Sequence, residues 1–336
     1  MKTMNIGVIG AGVIGKRHMG NLAKRDDVRI AAVCGTDAGK TDSVAAEYGA
    51  ESLTDYGQLF ERVPLDAVFV CTPPGVRLGP IREAARRGIA CFVEKPPARS
   101  VREAQEIEAI VRESGIVCSV GFMYRYAGAV AKARELILGS GGPVPIVRSV
   151  HVCAAGLPEA PTPRWLLDKA NSGGPMFDQA IHLIDAARYI VGAQSGEVEA
   201  IHAFGANAQR PKSVDYTVED NFVVNLAYAR GTVQTHTHSW GVEKPRVEIE
   251  LLGRDYRLTV DLSRLGSRLY GDFRGEEVSM HFPDENMYAD EAAAFLAAAR
   301  SGDRSSIRSS YADAARSLEL VVRANESADE GRSIRL

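Results

Sequence analysis

Gly10-Ala11-Gly12-Val13-Ile14-Gly15 closes a short apolar run, Asn5–Ile9, and opens a helical pattern. At such a junction the first glycine permits a tight turn and the second lets backbone approach a pyrophosphate. The third allows helix and strand to pack closely. The helix N-terminus, with Val13 and Ile14 in its first turn, offers unsatisfied N–H groups and a positive dipole end to phosphates. A glycine triplet alone can merely shape a turn, but between a strand and a helix of a βαβ unit it reads as a dinucleotide cradle. The next strand ends Val33-Cys34-Gly35-Thr36-Asp37. An NAD-specific fold usually carries an acid about 20 residues after the glycines, on the ribose 2′-OH. That count reaches Gly35 and puts Asp37 slightly beyond, which leaves room for a 2′-phosphate held by Thr36 and Lys40. Alternatively, Thr36 and Asp37 only cap the following helix. The expected cofactor is NAD(P), with the balance tipped to NADP.

Two groups suit proton transfer. Lys95, in Glu94-Lys95-Pro96-Pro97, follows the apolar run Ala90–Val93 and so belongs to the edge of a parallel sheet where ligands collect. Its ammonium can donate to a carbonyl or alkoxide; the alternative is a solvated lysine before a proline turn. Asp178 and His182 are four residues apart and share a face if the segment is α-helical, with Asp185 on much the same side. An imidazole is a natural proton shuttle near neutral pH, and a carboxylate can orient it, although a histidine among apolar neighbours is often structural. His236 and His238 alternate on one strand face, but two histidines without an evident third ligand make a poor metal site. No metal is expected.

The elements that must carry these groups follow from periodicity. Asn5–Ile9, Val28–Cys34, Ala67–Cys71, Ala90–Val93 and Val117–Val120 are apolar on both faces, as strands of a helix-covered parallel sheet are. Helices are expected from near Ile14, Lys40, Tyr56, Val76 and Val101, the last with Ser100 and Glu103 as a capping box. After Gly121 come a helix over Ala129–Leu138, a strand over Ile146–Cys153, a proline-rich loop through Pro163 and a helix from about Met176 to Val191. Strands then follow one another at Val198–Ala206, Asn221–Ala229, Thr232–Trp240, Arg246–Leu252 and Tyr256–Asp261, and short turns imply antiparallel pairing. Helices return at Tyr288–Arg300 and Ala312–Ala324. The expected architecture is α/β: a doubly wound Rossmann domain over residues 1–122 and an α+β domain with a large, mostly antiparallel open sheet over 123–336. The C-terminal helix is free to pack back on the first domain.

The 336 residues are 45% hydrophobic and 25% charged, with a net charge of −3. That balance shows no basic field for nucleic acid or an anionic membrane. The start lacks a signal-peptide pattern and no run suits a membrane span, so a cytoplasmic location is expected. The scattered Cys34, Cys71, Cys91, Cys118 and Cys153 read as reduced thiols.

Thr72-Pro73-Pro74, Glu94-Lys95-Pro96-Pro97 and Gly173-Gly174-Pro-Met-Phe-Asp178-Gln-Ala-Ile-His182-Leu-Ile-Asp185, in this order after the glycine motif, resemble the Gfo/Idh/MocA oxidoreductase family. The resemblance runs over nearly the whole chain, to the Gly302–Tyr311 segment. It implies a catalytic Lys95 before a cis proline, His182 as acid/base, Asp178 beside it, and Asp185 in support. It also implies cofactor contacts from Thr72, Pro73 and Glu94. Arg77 stands where many relatives have histidine, and reaches cofactor phosphate or is solvated. Gly121–Tyr126 looks like the family's inter-domain segment, from which Tyr124 and Arg125 either bind substrate hydroxyls or pack. Trp165, after Arg164, contacts substrate or anchors its loop. The implied reaction is hydride transfer between nicotinamide and a hydroxyl carbon of a sugar, sugar derivative or cyclic polyol, with the ammonium and imidazole serving one cleft. Alternatives are transient oxidation enabling elimination or glycosidic cleavage, and a nicotinamide-binding sensor without turnover. A dimer or tetramer through the second domain's sheet is also implied.

Overall fold

The computed structural model describes residues 3–157, 159–263 and 266–336. Met1 and Lys2 at the start, and Pro158 of the proline-rich loop, lie outside them. Two compact units emerge, Met1–Met123 with Asn286–Ala315, and Tyr124–Glu285 with Arg316–Leu336. The chain leaves the first unit after Met123, returns to it at Asn286 and leaves it again after Ala315.

The first unit alternates β1 (Met4–Ile9), α1 (Val13–Leu22), β2 (Val28–Cys34), α2 (Ala38–Glu47), β3 (Glu51–Leu53), α3 (Tyr56–Arg62), β4 (Ala67–Val70), α4 (Leu78–Arg86), β5 (Ala90–Glu94), α5 (Val101–Ser114) and β6 (Cys118–Gly121). All pairs are parallel, in the order β3-β2-β1-β4-β5-β6. The order reverses between β1 and β4, and ligands of such sheets bind outside the strands' carboxyl ends at that point. Strands such as β4 are buried along their whole length, as a sheet covered on both faces requires. The three-residue β3 is the one strand of this sheet that periodicity misses; it is too short to show a period. The returning helix Met287–Ser301 buries Ala292, Phe295, Leu296 and Ala298 against Phe69 and Phe92.

The second unit contains α6 (Gly128–Leu138), β7 (Ile146–Val152), α7 (Lys169–Ser172), a π-helical turn (Met176–Ala180), α8 (Ile181–Ser195) and β8 (Val198–Ala206). It continues through β9 (Asn221–Tyr228), β10 (Val233–Ser239), β11 (Arg246–Leu252), β12 (Tyr256–Asp261), β13 (Ser267–Phe273) and β14 (Glu276–Phe282). The chain then passes through α9, the Met287–Ser301 helix of the first unit, and α10 (Tyr311–Glu330) to β15 (Ile334–Arg335). Nine strands form one sheet, β14-β13-β12-β11-β7-β10-β9-β8-β15, antiparallel except for β7 with β10. Val147, Val224, Leu226, Ile249 and Leu251 alternate onto its buried face, the period-two pattern of a one-sided core. Helix α8 is buried nearly all round, which explains its lack of a polar stripe. Among the described residues no helix is long and apolar enough to cross a membrane.

Candidate active site

In the first unit the glycine motif follows β1 as expected. Gly10 has φ +113°, and a Cβ there would lie 2.6 Å from the carbonyl oxygen of Cys71. A Cβ on Gly15 would sit 1.9 Å from the Gly10 carbonyl oxygen, so this glycine is fixed by close backbone approach. Gly12 differs. Its backbone is extended, and a Cβ there would meet nothing within 4 Å. Neither fold nor turn therefore demands glycine at position 12; a ligand approaching the backbone would. As N-cap of α1, Gly12 supplies no side-chain acceptor, and no acid lies in the first turn. The N–H groups opening the helix thus suit an anion. We expect Gly12→Val to melt near the wild-type temperature yet bind dinucleotide at least about tenfold more weakly, ~1.4 kcal/mol. Gly15→Ala should lose both. Nicotinamide fluorescence titration and thermal melts would separate these outcomes.

Asp37 caps α2: its carboxylate accepts from the Lys40 backbone N–H at 3.1 Å and pairs with Lys40 Nζ at 3.6 Å. The hydrogen bond to the Lys40 N–H, chiefly, lowers its pKa. A Cβ on Gly35 would lie 2.6 Å from Thr41 Oγ1, so a larger residue there would displace the hydroxyl that donates to the Asp37 carbonyl.

Arg77 is corrected from the expected phosphate contact or solvated position. Its guanidinium is buried and donates to the carbonyl of Pro96, to that of Thr72 at 2.9 Å and to that of Lys95 at 3.1 Å. It clamps the loop after β4 to the loop after β5. Burial, chiefly, lowers its pKa to about 10, still far above neutrality. Thr72 and Pro73 lie in the first of these loops. Lys95 follows β5 on the same carboxyl edge as the glycine turn, and Lys95–Pro96 is cis, as the family resemblance implies.

The Glu94 side chain is corrected too. It turns inward, where Oε1 lies 2.7 Å from His18 Nε2 and Oε2 accepts from the backbone N–H of Lys95 at 2.9 Å. Burial alone would raise its pKa. The hydrogen bond to His18 and the charges of His18, Lys95 and Arg77 outweigh that and hold it below the ordinary glutamate value. His18 escapes a reading of the sequence; its only signal is its place on α1, three residues beyond Gly15.

In the second unit, Gly173 and Gly174 take positive φ in succession, and a Cβ on Gly173 would run into the Phe177 ring at 2.3 Å. This pair delivers the chain into the π turn Met176–Ala180, a geometry often found at functional sites. Asp178 lies in that turn and His182 in the first turn of α8, so the expectation of one continuous α-helix is corrected. The wider turn alters their offset from the ordinary i, i+4 relation. His182 is buried, and the Tyr124 ring meets it edge-on with centroids 5.4 Å apart.

The Arg125 side chain is buried. It forms a two-pronged ion pair with Asp185, Nε to Oδ2 at 2.8 Å and Nη2 to Oδ1 at 2.6 Å, with both side chains buried. Ser317 Oγ donates to the same carboxylate at 2.6 Å. Trp165 is 46% exposed and so is no core anchor; Leu167 fills that role, packed with Tyr216, Val218 and Trp240. Gln179 is a further residue that spacing does not reveal: its Oε1 accepts from Trp240 Nε1 at 2.8 Å and Cys153 Sγ at 3.2 Å, tying the π turn to the ends of β10 and β7. His236 and His238 share the buried face of β10. Burial, aided by His151, lowers the His236 pKa to about 3, and burial with His151 and His236 drives His238 well below its ordinary value. His236 Nδ1 lies 2.9 Å from Ser149 Oγ.

An oxidoreductase family model with an NAD-binding Rossmann fold matches residues 4–122, and the Gfo/Idh/MocA C-terminal domain model matches residues 130–259. The uncharacterised oxidoreductase YrbE of Bacillus subtilis is 30% identical over 78% of this chain and 75% of its own length. The 2,7-anhydro-N-acetylneuraminate hydratase of Mediterraneibacter gnavus is 26% identical over 85% and 74%, respectively. The scyllo-inositol 2-dehydrogenase (NAD(+)) of B. subtilis is 29% identical over 81% and 75%. Among solved structures, levoglucosan dehydrogenase in complex with NADH and L-sorbose superposes with a TM-score of 0.86 at 22% identity, covering 100% of this chain and 99% of that one. The two family models in sequence and the long match to YrbE establish that the chain belongs to the Gfo/Idh/MocA family of oxidoreductases.

Proposed function

We propose that the chain transfers a hydride between NAD(P) and a hydroxyl-bearing carbon of a sugar, sugar derivative or cyclic polyol. The observation carrying this reading is the open glycine at position 12 on the sheet edge that also bears Lys95. A dinucleotide seated there brings the redox chemistry, and the protein supplies orientation and proton transfer. His182, assisted by Lys95, takes the hydroxyl proton during oxidation and returns it during reduction. Tyr124, Asp178 and Trp165 position hydroxyls. Arg125, held by Asp185, supports the Tyr124 segment from behind.

NADP is the proposed preference, because the position expected to hold the 2′-OH acid is a glycine packed against Thr41 and Lys40 is exposed near it. Lys40→Ala should raise KM for NADP several-fold more than KM for NAD. An equal change for both dinucleotides would remove this preference.

The similarity to a hydratase supports a second reading, transient oxidation with no net redox change. A polyol and anhydrosugar panel, followed by nicotinamide absorbance together with product analysis, separates the readings. Stoichiometric accumulation of reduced cofactor identifies a dehydrogenase. Product formed with catalytic cofactor identifies elimination. Tight dinucleotide binding without turnover on the whole panel would favour a sensor and overturn both. The exposed side chains Ile146, Phe204, Val223, Tyr270 and Met280 on strands of the large sheet suit self-association through that sheet, as a dimer or tetramer.

A further inference from the structure

Behind Lys95, inside the first unit, lies a buried cluster to which no role has yet been given. His18 of α1, Glu94 at the end of β5 and Glu291 of α9 place one ligand-type atom each within 4.8 Å of one another. Glu291 is 0% exposed, and neither carboxylate oxygen has a hydrogen-bond partner among the described residues. The walls are aromatic: the His18 ring lies 5.5 Å from Phe69, 5.0 Å from Phe92 and 5.7 Å from Tyr288. Two ionised carboxylates this close in so apolar a setting repel strongly, and an unpartnered buried carboxylate is costly.

A cation could also relieve that repulsion, but it would have to share Glu94 oxygens that already accept from His18 and the Lys95 N–H. A proton on Glu291 requires no such sharing. We propose that Glu291 is the neutral, protonated member of this cluster, that His18 and Glu94 are positioning residues acting on Lys95 through its backbone N–H, and that loss of the Glu291 proton disrupts them. The connection is direct: His18 orients Glu94, Glu94 holds the Lys95 amide, and Arg77 holds the Lys95 and Pro96 carbonyls.

The charged and titratable groups around the cluster are Arg17 and His18 from α1, Cys71 after β4, Arg77, Glu94 and Lys95, and Tyr288 from α9. Burial first, then the charge of Glu94, pushes the Glu291 pKa well above the ordinary glutamate value. Because its folded value exceeds its unfolded one, the native chain binds the extra proton between the two. That contribution to stability is complete below the ordinary glutamate range and is lost as pH rises through the folded value.

The role in turnover rests on the proposed function; the protonation state does not, so the experiment reads both on the full chain. Infrared spectra at neutral pH should show a protonated carboxylic acid band that shifts in heavy water and is missing from Glu291→Gln. In kcat–pH profiles, Glu291→Gln should lose the alkaline limb and flatten the fall of melting temperature with rising pH. Glu94→Gln should lower kcat by about 10²-fold, the scale of a roughly 1 Å misplacement, with KM for dinucleotide near wild type. His18→Gln, which keeps an N–H donor for Glu94, should recover turnover relative to His18→Ala. No protonated acid band in the wild type, a stoichiometric bound metal, or an unchanged alkaline limb in Glu291→Gln would overturn the proposal. If the chain turns over nothing, the functional reading fails while the band still decides the proton. Should Glu291→Gln not fold, the wild-type band followed through alkaline pH decides the same question.

Discussion

Lys95→Met should lower kcat by about 10²–10⁴-fold, the range removed with a positioned general acid or base. Affinity for the dinucleotide should stay near wild type, because the glycine turn that carries it is formed by other residues. Methionine keeps the length of the stem and removes the ammonium, so packing beside Pro96 changes little. His182→Gln should cost a similar factor, since the amide retains hydrogen-bonding capacity but shuttles no proton. The informative measurement is the double variant. If Lys95 and His182 handle the same proton, the pair should lose far less than the product of the single losses, because residues that act as a unit are strongly non-additive. Multiplicative losses would mean two separate tasks. Single variants that turn over at the wild-type rate would remove both residues from the chemistry. Single-turnover kinetics are needed, so that slow product release does not mask the chemical step.

The first unit is the more legible in the sequence because its signals are local. Gly10, Gly12 and Gly15 declare a turn, a ligand and a close approach by spacing alone, and strands such as β4 are apolar throughout. The order of strands and the sheet edge then place Lys95 without further information. What escapes depends on where side chains go after folding. Arg77, Arg125 and Glu94 look like ligand contacts because charged residues in motif loops usually face solvent or substrate. Each instead neutralises or clamps a neighbour distant in sequence: Arg77 the Lys95 carbonyl, Arg125 the Asp185 carboxylate, Glu94 the His18 ring. No periodicity encodes such partners. Glu291 is invisible for a related reason, as one acid in an alanine-rich helix reads as its solvated face until the helix is docked. The π turn is hidden as well, since it changes the offset of Asp178 and His182 without changing composition. Strands β13 and β14 escape because Arg268, Tyr270, Asp272 and Glu277 make one face polar, Glu276 adds a charge to the other, and their apolar alternation is weak.

Asp185→Ala should destabilise the second unit by about 3–5 kcal/mol, the usual cost of leaving one member of a buried ion pair unpartnered. The guanidinium of Arg125 would keep its charge in a site only 2% exposed, beside the Tyr189 ring at 4.9 Å, without the carboxylate that neutralises it. Asp185→Asn should fare almost as badly: it retains the shape and an acceptor for Ser317, but the neutralising charge is gone. Replacing both partners with apolar residues, Arg125→Met with Asp185→Leu, should recover much of the loss, because the pair's own desolvation cost disappears along with its attraction. Denaturant unfolding followed by tryptophan fluorescence would measure this, since Trp165 and Trp240 both lie in the second unit. A deficit in Asp185→Ala below about 1 kcal/mol, the range of exposed pairs, would show that the site admits water. The two properties need not move together. The double variant restores packing but not the fixed orientation that a two-pronged ion pair gives the backbone beside Tyr124, whose ring abuts His182. Recovered stability with persistently low kcat would therefore assign Arg125 and Asp185 to holding the Tyr124–His182 contact, and recovery of both would confine the pair to folding.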